Sequence, residues 1–266
     1  MAGATAAELL AAVEQSPAAA AAHDRAGWVG LFGPDGRVED PVGSRPHVGT
    51  EQIGRFYDTF IGPRDITFHR DLDIVRGNTV IRDLQLEVAM GPSVTMHIPA
   101  VIRYDLQNSA GRWELQRLRA YWELPAMMRQ FLGNGIAAMP AGMQLTRSLL
   151  GNQRLAGTAG FAAGFRRPAS RGKKPVQAFL AAIASGSTAA ARSLLSPSAT
   201  VTYGDDTAAD LADLGAQLDG SSPAKLLASG STVAVSTRSE RQRAVLFFDL
   251  AGRGGPITSI RYFPGD

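Results

Sequence analysis

Four extended segments, at 66–75, 79–90, 93–106 and 112–123, constrain the fold of this chain more than any other feature. Each is rich in aliphatic or aromatic residues and alternates them with polar ones, the period of a half-buried strand. Turn residues separate them: Gly77-Asn78, Gly91-Pro92 and Asn108–Gly111. The first is a strong hairpin signal. Four such strands in succession form an antiparallel meander, and its apolar face needs helices to cover it. Ahead of the meander, apolar positions recur at helical spacing over 5–15 and 18–33, with Pro17 in the first turn of the second helix. Gly33-Pro34-Asp35-Gly36 reads as a turn and 37–39 as a short strand. Thr50 and Glu51 open a helix over 50–61 that puts Ile53, Phe56, Tyr57 and Phe60 on one face. The expected fold is α+β, with helices on one face of a curved antiparallel sheet.

The pattern then repeats. Helices are expected at Pro175–Ala184 and Thr188–Leu195, an extended run at Ala199–Tyr203, and a helix at Ala208–Leu218. Strands are expected at 231–237, 243–250 and 256–263. Helix, helix, strand, helix, sheet is the order of the first half, with little residue identity. Three regions result: a first domain over 1–124, a connector over 125–174, and a shorter second domain over 175–266.

Charge separates the connector from its neighbours. It holds eight basic residues and no acid, among them Arg129, Arg147, Arg154, Arg166 and Arg167, which leaves 19 basic residues against all 24 acidic ones elsewhere. The net charge of +3 therefore does not signal nucleic-acid binding, and no recognition motif supports it. Short helices are expected at 125–132 and 140–150. The connector also interleaves Phe131, Leu132, Met139, Met143, Leu149, Leu150, Phe161 and Phe165 with its cations. That suits a strap packed across both domains, the reading placed first, or peripheral attachment to an anionic membrane.

Other classes are excluded by composition. Without cysteine there is no disulfide framework and no thiolate site. His23, His47, His69 and His97 show no metal-ligand spacing, so neither a metal nor another cofactor is expected. The first residues, MAGATAAELLAAVEQ, lack a basic n-region and carry Glu8 and Glu14, so they read as a helix and not a signal peptide. No run of 18 apolar residues occurs. The expected location is the cytoplasm, with membrane association through 125–174 as the variant.

The chemistry concentrates in Val38–Tyr57, VEDPVGSRPHVGTEQIGRFY. Asp40 ends a short apolar run directly before Pro41. Asp-Pro alone is a common turn initiator. Between an apolar strand and an amphipathic helix, however, the same carboxylate can stand at the mouth of an apolar cavity and act as a proton-transfer base.

Residues 31–57, LFGPDGRVEDPVGSRPHVGTEQIGRFY, and 118–124, LRAYWEL, resemble the ketosteroid isomerase and SnoaL-like branch of the nuclear transport factor 2-like (NTF2-like) superfamily. The resemblance covers roughly residues 8–124. It implies tandem cones, each a bent sheet and about three helices around an apolar pocket, with the second a degenerate copy. Family members often dimerise through the sheet. Here the second domain is expected to pair with the first inside the chain, the alternative being a homodimer.

Ketosteroid isomerase uses an Asp base with an oxyanion hole built from a Tyr and a protonated Asp. By resemblance the base falls on Asp40, the tyrosine that supports the oxyanion hole on Tyr57, and the aromatic beside the base on Trp122. Phe56 adds apolar wall. The oxyanion tyrosine would fall near Ser16 and the oxyanion acid near Val101, neither of which matches the family. His97 and Arg103 share one strand face with Val101, and are the candidates to replace the missing donors. The epoxide-hydrolase branch needs an Asp–Arg–Asp set. The strand holding Arg82 and Asp83 does not supply it, and Ala120 stands where the second Asp would be. In the second domain Tyr203 takes the place of the base. Two functions follow from the resemblance: an isomerase moving a proton beside a carbonyl of a steroid or other polycyclic lipid, or a non-catalytic carrier of an apolar small molecule.

Overall fold

In the computed structural model, which describes residues 4–91, 94–133, 135, 169–252 and 254–265, helix α1 (Ala6–Ala21) begins at a capping box. The Thr5 side chain accepts from the Glu8 N–H at 3.3 Å, and the Glu8 carboxylate accepts from the Thr5 N–H at 2.8 Å. The helix runs unbroken through Pro17, where two helices were expected. Leu9, Val13, Ser16, Pro17 and Ala20 form one buried stripe, and packing of that stripe offsets the hydrogen bond that proline removes. The break comes later, at His23 with φ 51°. Asp24 then caps α2 (Arg25–Val29) by accepting from the Gly27 N–H at 2.8 Å.

Strand β1 (Phe32–Glu39) is longer than the sequence suggests, because Gly33–Gly36 is absorbed as an irregularity between Phe32 and Arg37. After β2 (His47–Val48), α3 (Gly49–Phe56) continues into one π-helical turn, Tyr57–Ile61, closed by the Gly62 N–H on the Tyr57 carbonyl at 2.9 Å. The meander is β3 (Asp65–Arg76), β4 (Thr79–Ala89), β5 (Thr95–Ser109) and β6 (Arg112–Tyr121), followed by α4 (Leu124–Gly133). The two-residue turn between β3 and β4 puts Gly77 at φ 55°, which a left-handed hairpin turn requires. The strand order is β2-β1-β6-β5-β4-β3, with β1 parallel to β6 and all other pairs antiparallel.

Even-numbered residues of β4 and β5 face the helices. Val80, Leu84, Val88, Ile98, Ala100 and Ile102 pack with Leu9, Val13, Trp28, Ile53 and Phe56 in one core. Each large side chain contributes roughly 1.5–3 kcal/mol. Arg82 shares this face and is almost fully buried. It donates to Asp73 at 2.8 and 2.9 Å and to Glu14 of α1 at 2.9 Å, which ties the helix to the sheet through charge.

The chain divides into two units, Met1–Arg166 and Arg167–Asp266. The second comprises α5 (Ala169–Ala184), α6 (Thr188–Ser193), β7 (Leu195–Tyr203), β8 (Thr207–Ala208), α7 (Leu211–Gln217), β9 (Ser222–Ser229), β10 (Thr232–Arg238), β11 (Arg243–Leu250) and β12 (Ile257–Pro264). Its order, β8-β7-β12-β11-β10-β9, repeats the first, and β7 runs parallel to β12 as β1 does to β6. The fold is thus α+β, built on two six-stranded curved sheets. Strand β9 has no counterpart in the sequence reading. It is an edge strand with Pro223 and Lys225 in place of β-branched residues, and its register shifts opposite Ser236/Thr237. The expected helix at 140–150, the apolar residues after it and the cations Arg147, Arg154, Arg166 and Arg167 lie outside the described residues. No helix among the described residues is long and apolar enough to cross a membrane.

Candidate functional site

Strand alternation carries Asp40 into the first unit. Val38 is fully buried in the core, Glu39 points to the other face and accepts from Arg117 Nε at 3.0 Å, and Asp40 turns inward again. The chain then reverses at a cis Asp40–Pro41 bond, and the Val42 N–H reaches the Ala120 carbonyl at 2.8 Å. This brings Asp40 beside the residue that follows β6. Trp122 Nε1 donates to Asp40 Oδ1 at 2.5 Å.

The two side chains share a cavity of about 690 Å³, including the space at its mouth. Phe56, Phe60 and Ile61 come from α3 and the π-turn. Leu86, Val88 and Ile98 come from the inner sheet face, and Met127 from α4. The π-turn matters here, because its extra residue lets Phe56, Phe60 and Ile61 all face one cavity. Apart from Asp40 and Arg64 the wall is apolar or aromatic. Burial pushes the Asp40 carboxyl up to about 6, and the hydrogen bond from Trp122 offsets part of that rise. A carboxylate poised there can take and return a proton near neutral pH.

The other sequence-predicted residues divide by strand parity. Phe56 and Trp122 line the cavity with Asp40. Val101, His97 and Arg103 do share a face of β5, as expected, but it is the face turned away from Ile98 and the cavity. His97 is exposed there, and its backbone N–H donates to Gln130 Oε1 at 3.1 Å. Arg103 is buried and donates to Asp105 at 2.8 Å. The pocket-facing neighbours of Val101 are Ala100 and Ile102, which offer no side-chain donor.

Tyr57 is buried outside the cavity lining, its ring 5.6 Å from that of Trp28 and its hydroxyl without a hydrogen-bond partner. Ser16 does not supply one. Its hydroxyl accepts from Trp28 Nε1 at 3.1 Å and pairs with Tyr104, a phenol that burial pushes up to about 12. Ser16, Trp28 and Tyr104 thus bond one another away from the cavity, and Asp40 and Arg64 are its charged groups among the described residues.

Sequence reasoning missed Arg64. It stands between the π-turn and β3, where an arginine after Gly62-Pro63 carries no mark of burial. The structure closes the π-turn over it. Nη1 donates to the carbonyls of Thr59 at 2.7 Å and Phe60 at 2.9 Å, and Nε to Met90 Sδ at 3.3 Å. Among the described residues no group of His, Asp and Glu side chains could hold a metal ion.

Comparison with known proteins gives one family match, to the nuclear transport factor 2 (NTF2) domain over residues 8–130. Solved structures similar to the chain include a Δ5-3-ketosteroid isomerase from Mycobacterium sp. It is 28% identical over 45% of this chain and 96% of that one, with a TM-score of 0.41. A Mycobacterium tuberculosis protein in complex with estradiol-17β-hemisuccinate is also 28% identical, over 44% and 95%, with a TM-score of 0.40. An M. tuberculosis LEH-like epoxide hydrolase is 17% identical over 50% and 96%, with a TM-score of 0.42. The match to the family spans α1 through most of α4, the elements that build the cavity. Residues 8–130 of this chain are an NTF2 domain.

Proposed function

We propose that the first unit binds a steroid or other polycyclic lipid in its apolar cavity, and that Asp40 moves a proton beside a carbonyl group of that ligand. The observation that carries this reading is the Asp40–Trp122 pair at the wall of an apolar cavity, with the carboxyl pushed up to about 6. Above that pH Asp40 is ionised and accepts a proton from the carbon next to the carbonyl. The C–H electron pair becomes the enolate, with its charge on the carbonyl oxygen. The same Asp40 proton then returns to a carbon further along the conjugated system, so the double bond moves and nothing is consumed. A positioned base supplies roughly 10²–10⁴-fold.

A second reading, non-catalytic carriage of an apolar molecule in the same cavity, is favoured by one observation. The positions of the two oxyanion donors hold Ser16, which is bonded to its neighbours, and Val101, which faces away. One experiment separates the two. Incubation with 5-androstene-3,17-dione is followed by the absorbance of the conjugated enone. Enone formation that Asp40→Asn abolishes supports the isomerase. Ligand binding without enone formation, unchanged by Asp40→Asn, supports the carrier.

A further inference from the structure

Arg64 is the second charged group of the cavity, and proton transfer by Asp40 does not use it. Its side chain is held in place, with the residue only 8% exposed. A guanidinium has five N–H donors. The three on Nη1 and Nε are engaged by the Thr59 and Phe60 carbonyls and the Met90 thioether, all neutral acceptors. Among the described residues the two on Nη2 have no acceptor, and no carboxylate lies within ion-pair distance of Arg64. Burial alone pushes the guanidinium below its usual range, with no carboxylate opposing that shift. Asp40 does not act as its counter-ion, since only burial and Trp122 act on that carboxyl.

A buried cation that no acid neutralises is costly, and the cost is recovered when an anion binds it. Most other buried cations of this unit have their acid: Arg82 has Asp73 and Glu14, and Arg103 has Asp105. Arg64 lines an apolar cavity instead. We propose that the cavity takes an apolar molecule bearing a carboxylate, and that Arg64 Nη2 binds that carboxylate. A single guanidinium, on a wall whose other charged side chain among the described residues is the acceptor Asp40, matches one negative charge, whereas a phosphate asks for more donors than the wall offers. This inference rests on the cavity being a ligand site, and is independent of catalysis by Asp40.

Matched probes test it: 3-oxo-4-androstene-17β-carboxylate against its methyl ester, and dodecanoate against methyl dodecanoate. Binding is read by calorimetry and by intrinsic tryptophan fluorescence. The expected result is that one acid binds the wild-type protein about ten- to a hundredfold more tightly than its ester, the range of a charge-assisted hydrogen bond. Arg64→Met should erase the preference, and Arg64→Lys should keep part of it. Equal or tighter binding of the esters by the wild-type protein overturns the inference and leaves the cavity reading standing. Binding of neither pair overturns both. The wild-type comparison decides even if Arg64→Met does not fold.

Discussion

In the first unit β1 leads into Asp40, which turns toward a cavity. In the second, β7 ends on Tyr203, which packs edge-on against Tyr262 of β12, with ring centroids 5.6 Å apart. The backbone around these two residues is alike. The Val42 N–H bonds the Ala120 carbonyl at 2.8 Å, and the Gly204 N–H bonds the Tyr262 carbonyl at 2.8 Å. Tyr203 thus stands at the end of β7, as Asp40 follows the end of β1. Burial pushes the Tyr262 phenol up to about 12, and its hydroxyl donates to Gln242 at 3.2 Å. The second unit has a cavity of about 670 Å³, including the open space at its mouth, lined by residues such as Leu180, Ile183, Leu218 and Thr237 and, among the described residues, by no titratable group. Its helix α7 ends without a π-turn, and no arginine follows it into β9. The same strand order thus occurs with and without the groups that proton transfer or anion binding would need. Sheet topology follows from alternation and turns, while the site hangs on two or three side chains at the edge of that topology.

The largest effect expected from this difference is on turnover. Asp40→Asn should lower enone formation from 5-androstene-3,17-dione by roughly 10²–10⁴-fold, the range a positioned base contributes. Tyr203→Phe should leave the rate unchanged. Loss of turnover in the Tyr203 variant, with Asp40 intact, would break the assignment of the chemistry to the first unit.

A second contrast concerns what lies under the first helix. In the first unit Arg82, Asp73 and Glu14 form a charged cluster beneath α1, whereas the core of the second unit joins Val176 and Phe179 of α5 to Val233 and Val235 of β10. Arg82→Met strips Asp73 of its buried partner and should cost about 3–5 kcal/mol. Urea unfolding measures it. A loss under about 1 kcal/mol would mean that water or Arg70, which lies 3.3 Å from Asp73, takes over the role.

Much of this contrast is legible in the sequence. Alternating strands and Gly-marked turns disclose the meander, and the segments Val38–Tyr57 and 118–124 bring Asp40, Phe56 and Trp122 to one cavity. The face of β5 could not be read from residue types. Both faces carry buried apolar residues, Val101 on one and Ile98, Ala100 and Ile102 on the other, so hydrophobicity alone gives no phase. Arg64 was hidden for another reason. Its burial is produced by a π-turn, a backbone irregularity with no composition of its own, so a helix of regular pitch drawn over 50–61 does not reveal the carbonyls that hold it.

A smaller effect should appear in stability against pH. The folded-state value for Asp40, about 6, lies above its usual 3.8. Between about pH 4 and 6 the native state therefore keeps a proton that the unfolded chain has released. The stability this gives is complete below about pH 4, is lost as pH rises through 6, and changes no further above that. The full size is roughly 3 kcal/mol, of which about 2 kcal/mol is lost between pH 4.5 and 7.5. Urea unfolding of wild type and Asp40→Asn at pH 4.5 and 7.5 measures the difference. Tyr203, which takes the place of Asp40 in the second unit, keeps its proton across this range and adds nothing to the change. Parallel pH dependence in the two proteins would mean that Asp40 is solvated as an ordinary surface carboxylate is.

The smallest effect isolates the indole. Trp122→Phe preserves an aromatic wall but removes the N–H that donates to Asp40 Oδ1. That bond favours the ionised carboxylate and opposes burial. Without it the carboxyl should rise further above 6, by roughly one unit, since a hydrogen bond to a charged group is worth about 1.5–3 kcal/mol and part of the loss is recovered by water entering at the cavity mouth. Because the base works only when ionised, the rising limb of the rate profile should move to higher pH by the same amount. Activity should then fall several-fold at pH 6.5 and be nearly unchanged at pH 8.5. An equal loss at both values would assign Trp122 to ligand packing alone. A profile identical to wild type would remove the indole from the account of why Asp40, and not any buried carboxylate, is poised near neutrality.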